Sequence, residues 1–196
     1  MVKIGFIVEG DSEKILIESD MFQQWCGKNG ITIVDPVINA EGGGNLLPEF
    51  MANHIRRLSA NGKPDKIVVL TDLETSGTVH VARKRILTGK SSKKIDFVFI
   101  SIKAVEAWFL SDDKAMSAWL ESRFHEDLPE KTQGMPWDRL KEIADKRGKR
   151  GPGSKPMFAK KILSLGFSIE NAARHPHCPS VKEFYDTLTG WGNPVL

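Results

Sequence analysis

The chain has 196 residues, a length that fits one sizeable core or a core with a small appendage. Its formal net charge of +3 is too small by itself to indicate a nucleic-acid partner, so the local distribution of charge must be considered. Cys26 and Cys178 lie far apart in the sequence and form no metal-ligand pair, which favours a reducing compartment.

Nothing in the sequence predicts a membrane association. No stretch approaches the ~20 apolar residues that a membrane-spanning helix needs. The short apolar run at residues 1–8 is followed at once by acidic residues, so we do not interpret it as a signal peptide. We therefore expect a cytoplasmic protein.

The first half of the chain alternates apolar runs with helical patterns. A row of four apolar residues, 67–70, predicts a strand that is buried on both faces, as in a parallel sheet. Alternating strands and helices predict an α/β fold with a doubly wound, mainly parallel, four-stranded sheet. The predicted strands cover residues 2–8, 31–38, 66–71 and 95–102, and the predicted helices cover residues 11–28, 47–59 and 79–87. Asp11 or Ser12 is the expected cap of the first helix.

The second half has a different pattern. Helices are predicted over residues 105–120, 138–146, 157–165 and 181–188, with a loop rich in Lys, Arg, Gly and Pro at residues 146–155. We interpret residues 1–104 as an α/β core and residues 105–196 as a helical extension that packs on it and is not independent.

Acidic residues follow two of the predicted strands. Glu9 comes directly after the first strand, and Asp72 and Glu74 come after the third. In a sheet with the order 2-1-3-4, strands one and three are neighbours, so these carboxylates would face one crevice at the switch point of the strand order. Clustered carboxylates repel each other and favour a hard cation such as Mg²⁺ or Mn²⁺. The alternative is that such acids only support the start of the next helix.

The acidic motifs resemble those of Toprim domains. The segment Val8-Glu9-Gly10-Asp11-Ser12-Glu13 is similar to the Toprim signature VEGxxE, and Asp72-Leu73-Glu74 stands where the Toprim DxD motif would follow the third strand. Residues 106–112, with the sequence EAWFLSD, and Cys178-Pro179-Ser180 resemble a bacterial Toprim-like family of uncharacterised proteins, DUF4276, which is related to OLD-type and RloB-type Toprim proteins.

This resemblance implies roles for particular residues. Glu9 would act as general acid/base or as a metal ligand, and Asp72 and Glu74 would bind Mg²⁺ or Mn²⁺. Glu74 departs from the family pattern, in which Asp is usual. Glu106 would supply a further catalytic carboxylate, the alternative being a first-turn acid that favours the helix dipole. The implied chemistry is metal-assisted, nuclease-like processing of phosphodiesters, with a link to phage defence.

Basic residues form two clusters that predict nucleic-acid binding. Six basic residues and no acid lie between Arg83 and Lys94, and a second cluster lies on the loop at 146–155. Flexible segments with this charge bind phosphate backbones, although a solvated surface is the alternative for any single lysine. The predicted phosphate-binding residues are Arg83, Lys84, Arg85, Lys149, Arg150 and Lys155.

Other readings of the sequence remain open. The chain could be a non-catalytic subunit that binds nucleic acid or a partner protein and works with a separate ATPase, since it has no Walker loop of its own. The segment Asp72-Leu73-Glu74-Thr75 also resembles the motif of haloacid-dehalogenase phosphatases, which stands after the first strand in that family. His175-Pro176-His177-Cys178 is a weak zinc pattern, and we expect a structured loop there. The oligomeric state is left open.

Overall fold

The fold is built on a parallel sheet of four strands. The computed structural model describes residues 1–73 and 77–192. The strands are β1 (Val2–Val8), β2 (Ile31–Asn39), β3 (Lys66–Asp72) and β4 (Phe97–Ser101). All neighbouring strands are parallel and their order is β2-β1-β3-β4. The predicted fold class is confirmed, and this order is the one in which strands one and three are neighbours.

Both faces of the sheet are buried. Side chains alternate along a strand, so Phe6 and Val68 pack into one apolar cluster while Ile7 and Val69 pack into a second cluster on the opposite face. This arrangement explains why the apolar residues of β3 form an unbroken row in the sequence.

Helices cover the two faces unequally. Helices α3 and α4 pack on one face, and the other helices that join the core lie on the opposite face. Gly5 of β1 allows a close approach of α3, because a Cβ at this position would lie 2.5 Å from Cδ2 of Leu58. Across the described ranges, no helix is long and apolar enough to cross a membrane. The helices are α1 (Asp11–Glu18), α2 (Asp20–Lys28), α3 (Pro48–Asn61), α4 (Val79–Ile86), α5 (Glu106–Leu110), α6 (Asp113–Leu120), α7 (Pro136–Lys146), α8 (Lys155–Ser164), α9 (Ile169–Ala173) and α10 (Pro179–Gly192).

The first predicted helix is in fact two helices. Ser19 has an extended backbone between α1 and α2, and its hydroxyl accepts a hydrogen bond from Phe22 N at 3.3 Å. The prediction that Asp11 or Ser12 caps α1 is also wrong, because Gly10 is the N-cap residue and both predicted caps lie inside the helix.

The helix predicted over residues 105–120 is also interrupted. Asp112 ends the first segment and caps α6, since its Oδ1 accepts hydrogen bonds from Lys114 N and Ala115 N at 3.1 and 3.2 Å. Aspartate competes well for free backbone donors at a helix start, and this preference outweighs the apolar periodicity that predicted one continuous helix.

The C-terminal helix packs directly on the sheet. The ring of Phe184 in α10 lies 4.8 Å from that of Phe99 in β4 and 6.2 Å from that of Phe6 in β1, measured between centroids. Core residues from both halves of the chain thus form one apolar cluster. The predicted division at residue 104 stays a prediction.

Candidate active site

Glu9 links the carboxyl ends of β1 and β3. The two strands pair in register, with Val8 opposite Leu70. Oε2 of Glu9 accepts a hydrogen bond from the backbone N–H of Asp72 at 3.0 Å and a second one from the hydroxyl of Thr71. On its other side, Glu9 faces Gly43, where a Cβ would lie 3.1 Å from Oε1. The structure therefore brings Glu9 and Asp72 together, at the edge where the sequence predicted a shared crevice.

Asp72 lies between β3, β4 and the segment that follows β4. Its Oδ1 accepts a hydrogen bond from the hydroxyl of Ser101 and another from Val105 N at 3.0 Å. Burial raises the pKa of Asp72 well above its usual range, and the negative charge of Glu13 raises it further, although the Ser101 hydrogen bond acts in the opposite direction. This carboxylate is costly to keep charged unless a positive group lies nearby.

Glu13 belongs to the same cluster, although its sequence position had predicted no role for it. It lies in the first turn of α1, is 4% exposed, and its Oε2 accepts a hydrogen bond from Gly10 N at 3.1 Å. Burial, with smaller contributions from Glu106 and Glu9, raises the pKa of Glu13 to about 7. Its position as the last residue of the VEGxxE-like segment was the available signal.

Glu106 and Lys155 add an ion pair to the cluster. Glu106 begins α5 and is 1% exposed, and its Oε2 lies 3.3 Å from Nζ of Lys155, the first residue of α8. Burial raises the pKa of Glu106, and Lys155 partly offsets this effect. Burial alone would lower the pKa of Lys155, but the negative charges of Glu106 and Asp72 hold it above its ordinary value.

The cluster fits a divalent cation by its chemistry rather than by a preformed geometry. Glu9, Glu13, Asp72 and Glu106 are hard oxygen donors whose charges repel each other, and one lysine cannot balance four carboxylates. Over residues 1–73 and 77–192, no three acidic, histidine or cysteine side chains converge as metal ligands. Oxygens of Glu9, Glu13 and Asp72 accept protein hydrogen bonds instead. Glu74, the other predicted ligand, lies outside the described residues.

A cleft opens beside this cluster. Its volume is about 520 Å³. Glu9 and Asp72 line it, together with Gly43, Gly44 and, from helix α4, Arg85. A ligand in the cleft would therefore contact both the carboxylates and a guanidinium group.

Two of the six predicted phosphate-binding residues lie near the acidic cluster, and the other four do not. Lys155 and Arg85 lie at the acidic edge. Arg83 instead donates from Nε to Val98 O at 2.9 Å and pairs with Glu183, so it covers the exposed edge of β4. Lys149 pairs with Glu121. Lys84 and Arg150 are exposed to solvent.

The histidine-rich segment near the C-terminus is a structured loop in this fold. Nε2 of His175 lies 2.8 Å from Glu126 O, and Nδ1 of His175 lies 3.1 Å from the backbone nitrogen of His177. Sγ of Cys178 is directed to Glu130 at 3.4 Å. Because both ring nitrogens of His175 have backbone partners, the segment offers no arrangement for zinc.

Comparisons with known proteins give one structural likeness. No protein-family model matches the sequence, and no curated protein matches it. Among solved structures, the chain is similar to the C-terminal region of the Burkholderia pseudomallei OLD protein, with 18% sequence identity and a TM-score of 0.49 over 95% of this chain and 98% of that chain. The resemblance to DUF4276 stays a prediction.

Proposed function

We propose that this protein is a Mg²⁺- or Mn²⁺-dependent, nuclease-like enzyme of the Toprim type that cleaves phosphodiesters. One observation supports the proposal above the others: Glu9, Asp72, Glu13 and Glu106 lie near one lysine at the carboxyl edge of a parallel sheet, at the switch point of the strand order, and burial raises the pKa of the last three. The resemblance of residues 8–13 and 72–74 to Toprim motifs is consistent with this chemistry.

Asp72 and Glu9 are the proposed metal-holding residues, with Glu74 as a further candidate donor. When bound, the cation would supply Lewis-acid stabilisation of the charge that develops on the phosphate. Hydrogen bonds from Ser101 and Val105 hold Asp72 in a fixed orientation. Those from Thr71 and Asp72 N do the same for Glu9.

The remaining groups of the cluster have proposed roles in proton transfer and charge balance. Glu13, with a pKa of about 7, holds a proton for part of the time at neutral pH, as a general acid/base requires. Glu9 and Glu106 are the alternative proton-transfer groups. Lys155 keeps its charge in this setting, so its ammonium group is suited to balance the negative charge of a phosphate.

A cleavage assay tests the proposal. Purified wild type would be incubated with supercoiled plasmid, single-stranded DNA or tRNA, in the presence of Mg²⁺, Mn²⁺ or excess EDTA. We expect metal-dependent cleavage that falls at least about 100-fold in Asp72→Asn and in Glu9→Gln, the order of loss for a group that stabilises transition-state charge. The exposed Asp145→Asn on α7 is the matched control and should keep wild-type activity.

The other outcomes would refute either the nuclease activity or the assigned active site. Binding of nucleic acid without cleavage by a folded wild type would favour the binding subunit that needs a separate ATPase chain. Hydrolysis of phosphate monoesters alone would favour the phosphatase reading of residues 72–75. Cleavage that survives both substitutions would show that the active site lies elsewhere.

We also propose that the protein binds nucleic acid, that it is located in the cytoplasm and that it has a role in phage defence.

A further inference from the structure

Helix α4 presents one face to the cleft beside the acidic cluster. Val81, Ala82, Arg85 and Ile86 line the cleft. Residues four apart lie on the same face of a helix, so Val81 and Arg85 form one row and Ala82 and Ile86 form the next. Because of this helical spacing, Arg85 faces the cleft whereas Arg83 and Lys84 do not line it. The sequence had predicted one basic cluster for all three residues.

The three consecutive basic residues of α4 have different surroundings. Arg83 is directed to β4, where it donates to Val98 O and lies 4.8 Å from the centre of the Phe97 ring. Lys84 is exposed and does not line the cleft. Arg85 lines the cleft, and with the residues of the described ranges it makes neither an ion pair nor a hydrogen bond through its side chain.

The cleft therefore joins two complementary binding elements. The carboxylates of Glu9 and Asp72 form the proposed metal end. At helix α4, the guanidinium of Arg85 presents a fork of donors of the kind that binds phosphate in a bidentate manner. The cations of Lys155 and Lys149 already have carboxylate partners in Glu106 and Glu121, whereas Arg85 is available for a ligand.

We propose that Arg85 is a phosphate-positioning residue, which binds a backbone phosphate adjacent to the one at the carboxylates. A nucleic-acid strand would then run through the cleft from Glu9 and Asp72 to α4. This inference rests on the proposed function, because it takes the scissile phosphate to lie at the acidic cluster.

The size and lining of the cleft indicate a single strand bound through its backbone. A volume of about 520 Å³ is in the range of pockets that enclose a small molecule, so a short stretch of one strand is the ligand that we propose for it. The described lining residues include no aromatic side chain on which bases would stack. The contacts that we propose for the strand are therefore made to its phosphates.

Equilibrium binding tests the inference separately from cleavage. The affinity of a short, fluorescein-labelled single-stranded DNA of mixed sequence would be measured by anisotropy over a range of salt concentrations. An Asp72→Asn background keeps the strand intact. We expect Arg85→Ala to weaken binding by about tenfold, the order of one hydrogen-bonded charged contact. The slope of log affinity against log salt should fall by about one.

Matched variants separate this role from a structural one. Arg85→Lys should restore the salt slope while recovering only part of the affinity, because an ammonium group keeps the charge but not the bidentate geometry. Arg174→Ala removes an exposed arginine that pairs within its own segment with Glu170, so affinity and slope should stay at the parent values. In the cleavage-competent protein, Arg85→Ala should raise KM more than it lowers kcat.

Three results would overturn the inference. They are unchanged affinity and salt slope in Arg85→Ala, no binding of the strand by the parent protein, and a duplex of the same sequence that binds as tightly as the single strand. Arg85-dependent binding of the strand without any cleavage would leave the binding site in place and refute the proposed nuclease activity alone.

Discussion

At the scale of single residues, surroundings rather than residue type give the acidic cluster its properties. Asp11 and Glu13 lie two positions apart in α1. Asp11 is exposed and accepts a hydrogen bond from the side chain of Asn39, whereas Glu13 is buried near other carboxylates. Burial raises the pKa of Glu13 to about 7. A buried carboxyl group with a raised pKa makes the free energy of unfolding depend on pH, in addition to any role in a reaction.

We predict that Glu13→Gln stabilises the metal-free protein at pH 8. The folded-state pKa of about 7 lies above the ordinary value of 4.5, so the folded protein binds this proton more tightly than the unfolded chain does. The resulting stability is fully present below pH 4.5 and is lost as the pH rises through 7. Removing the charge should therefore restore up to about 3 kcal/mol at pH 8.

Thermal unfolding in EDTA at pH 5 and pH 8 would measure this effect. The melting temperature of Glu13→Gln relative to wild type should increase between the two pH values, and the exposed Glu49→Gln at the start of α3 should show no such trend. Added Mg²⁺ should reduce the advantage at pH 8, because a cation would offset the same charge. A difference that is equal at both pH values would contradict the prediction.

At the scale of elements, a buried aspartate joins two helices. Asp112 is 1% exposed, and it caps α6 through Oδ1 while its Oδ2 accepts a hydrogen bond from Ser168 N, the N-cap residue of α9, at 3.0 Å. The break between α5 and α6 therefore turns the chain and also connects it to a segment more than 50 residues away.

We predict that Asp112→Ala costs about 2–4 kcal/mol of the free energy of unfolding, since it leaves three backbone donors without this acceptor. The matched control is Ser154→Ala, which removes the exposed cap of α8 with its single hydrogen bond to Met157 N. That change should cost about 1 kcal/mol. Urea unfolding would compare them, and equal losses would show that the link to α9 contributes nothing.

At the scale of the whole molecule, the C-terminal helices complete the sheet's core. Phe184 of α10 is fully buried and contacts the rings of Phe6, Phe22, Phe99 and Trp108. Without α10, the rings of Phe6 and Phe99 on this face of the sheet would lose their contacts with Phe184. We therefore expect residues 105–196 and the α/β core to unfold together.

We predict a single urea transition in which far-ultraviolet circular dichroism and tryptophan fluorescence change together. Phe184→Ala should shift the whole transition, with a loss of about 3–5 kcal/mol for a buried phenylalanine. Phe50→Ala in α3 is the matched control, because its side chain is 46% exposed, and it should leave the midpoint nearly unchanged. Two separate transitions, with only one sensitive to Phe184→Ala, would show that the C-terminal part folds independently.

Local patterns made much of the sheet predictable. Strand β1 has the bounds expected from its apolar run, and β2 and β3 each extend one residue further than predicted. Helix ends were less predictable, since Ser19 and Asp112 interrupt segments whose apolar periodicity continues past them. A side-chain oxygen that caps free backbone donors decides these breaks, and it does not alter the periodicity of the neighbouring residues.

The sequence by itself predicted the parallel sheet and the acidic residues at its carboxyl edge, because apolar runs and the residues that follow them are local features and parallel strands end at one edge. Only the tertiary structure buried Glu13 beside the other carboxylates, paired Glu106 with Lys155, and directed Arg85 to the cleft and Arg83 to β4. These relations depend on the rotation of each helix about its axis and on contacts between distant segments. Such contacts form only when the apolar faces pack, so no local pattern in the sequence contains them.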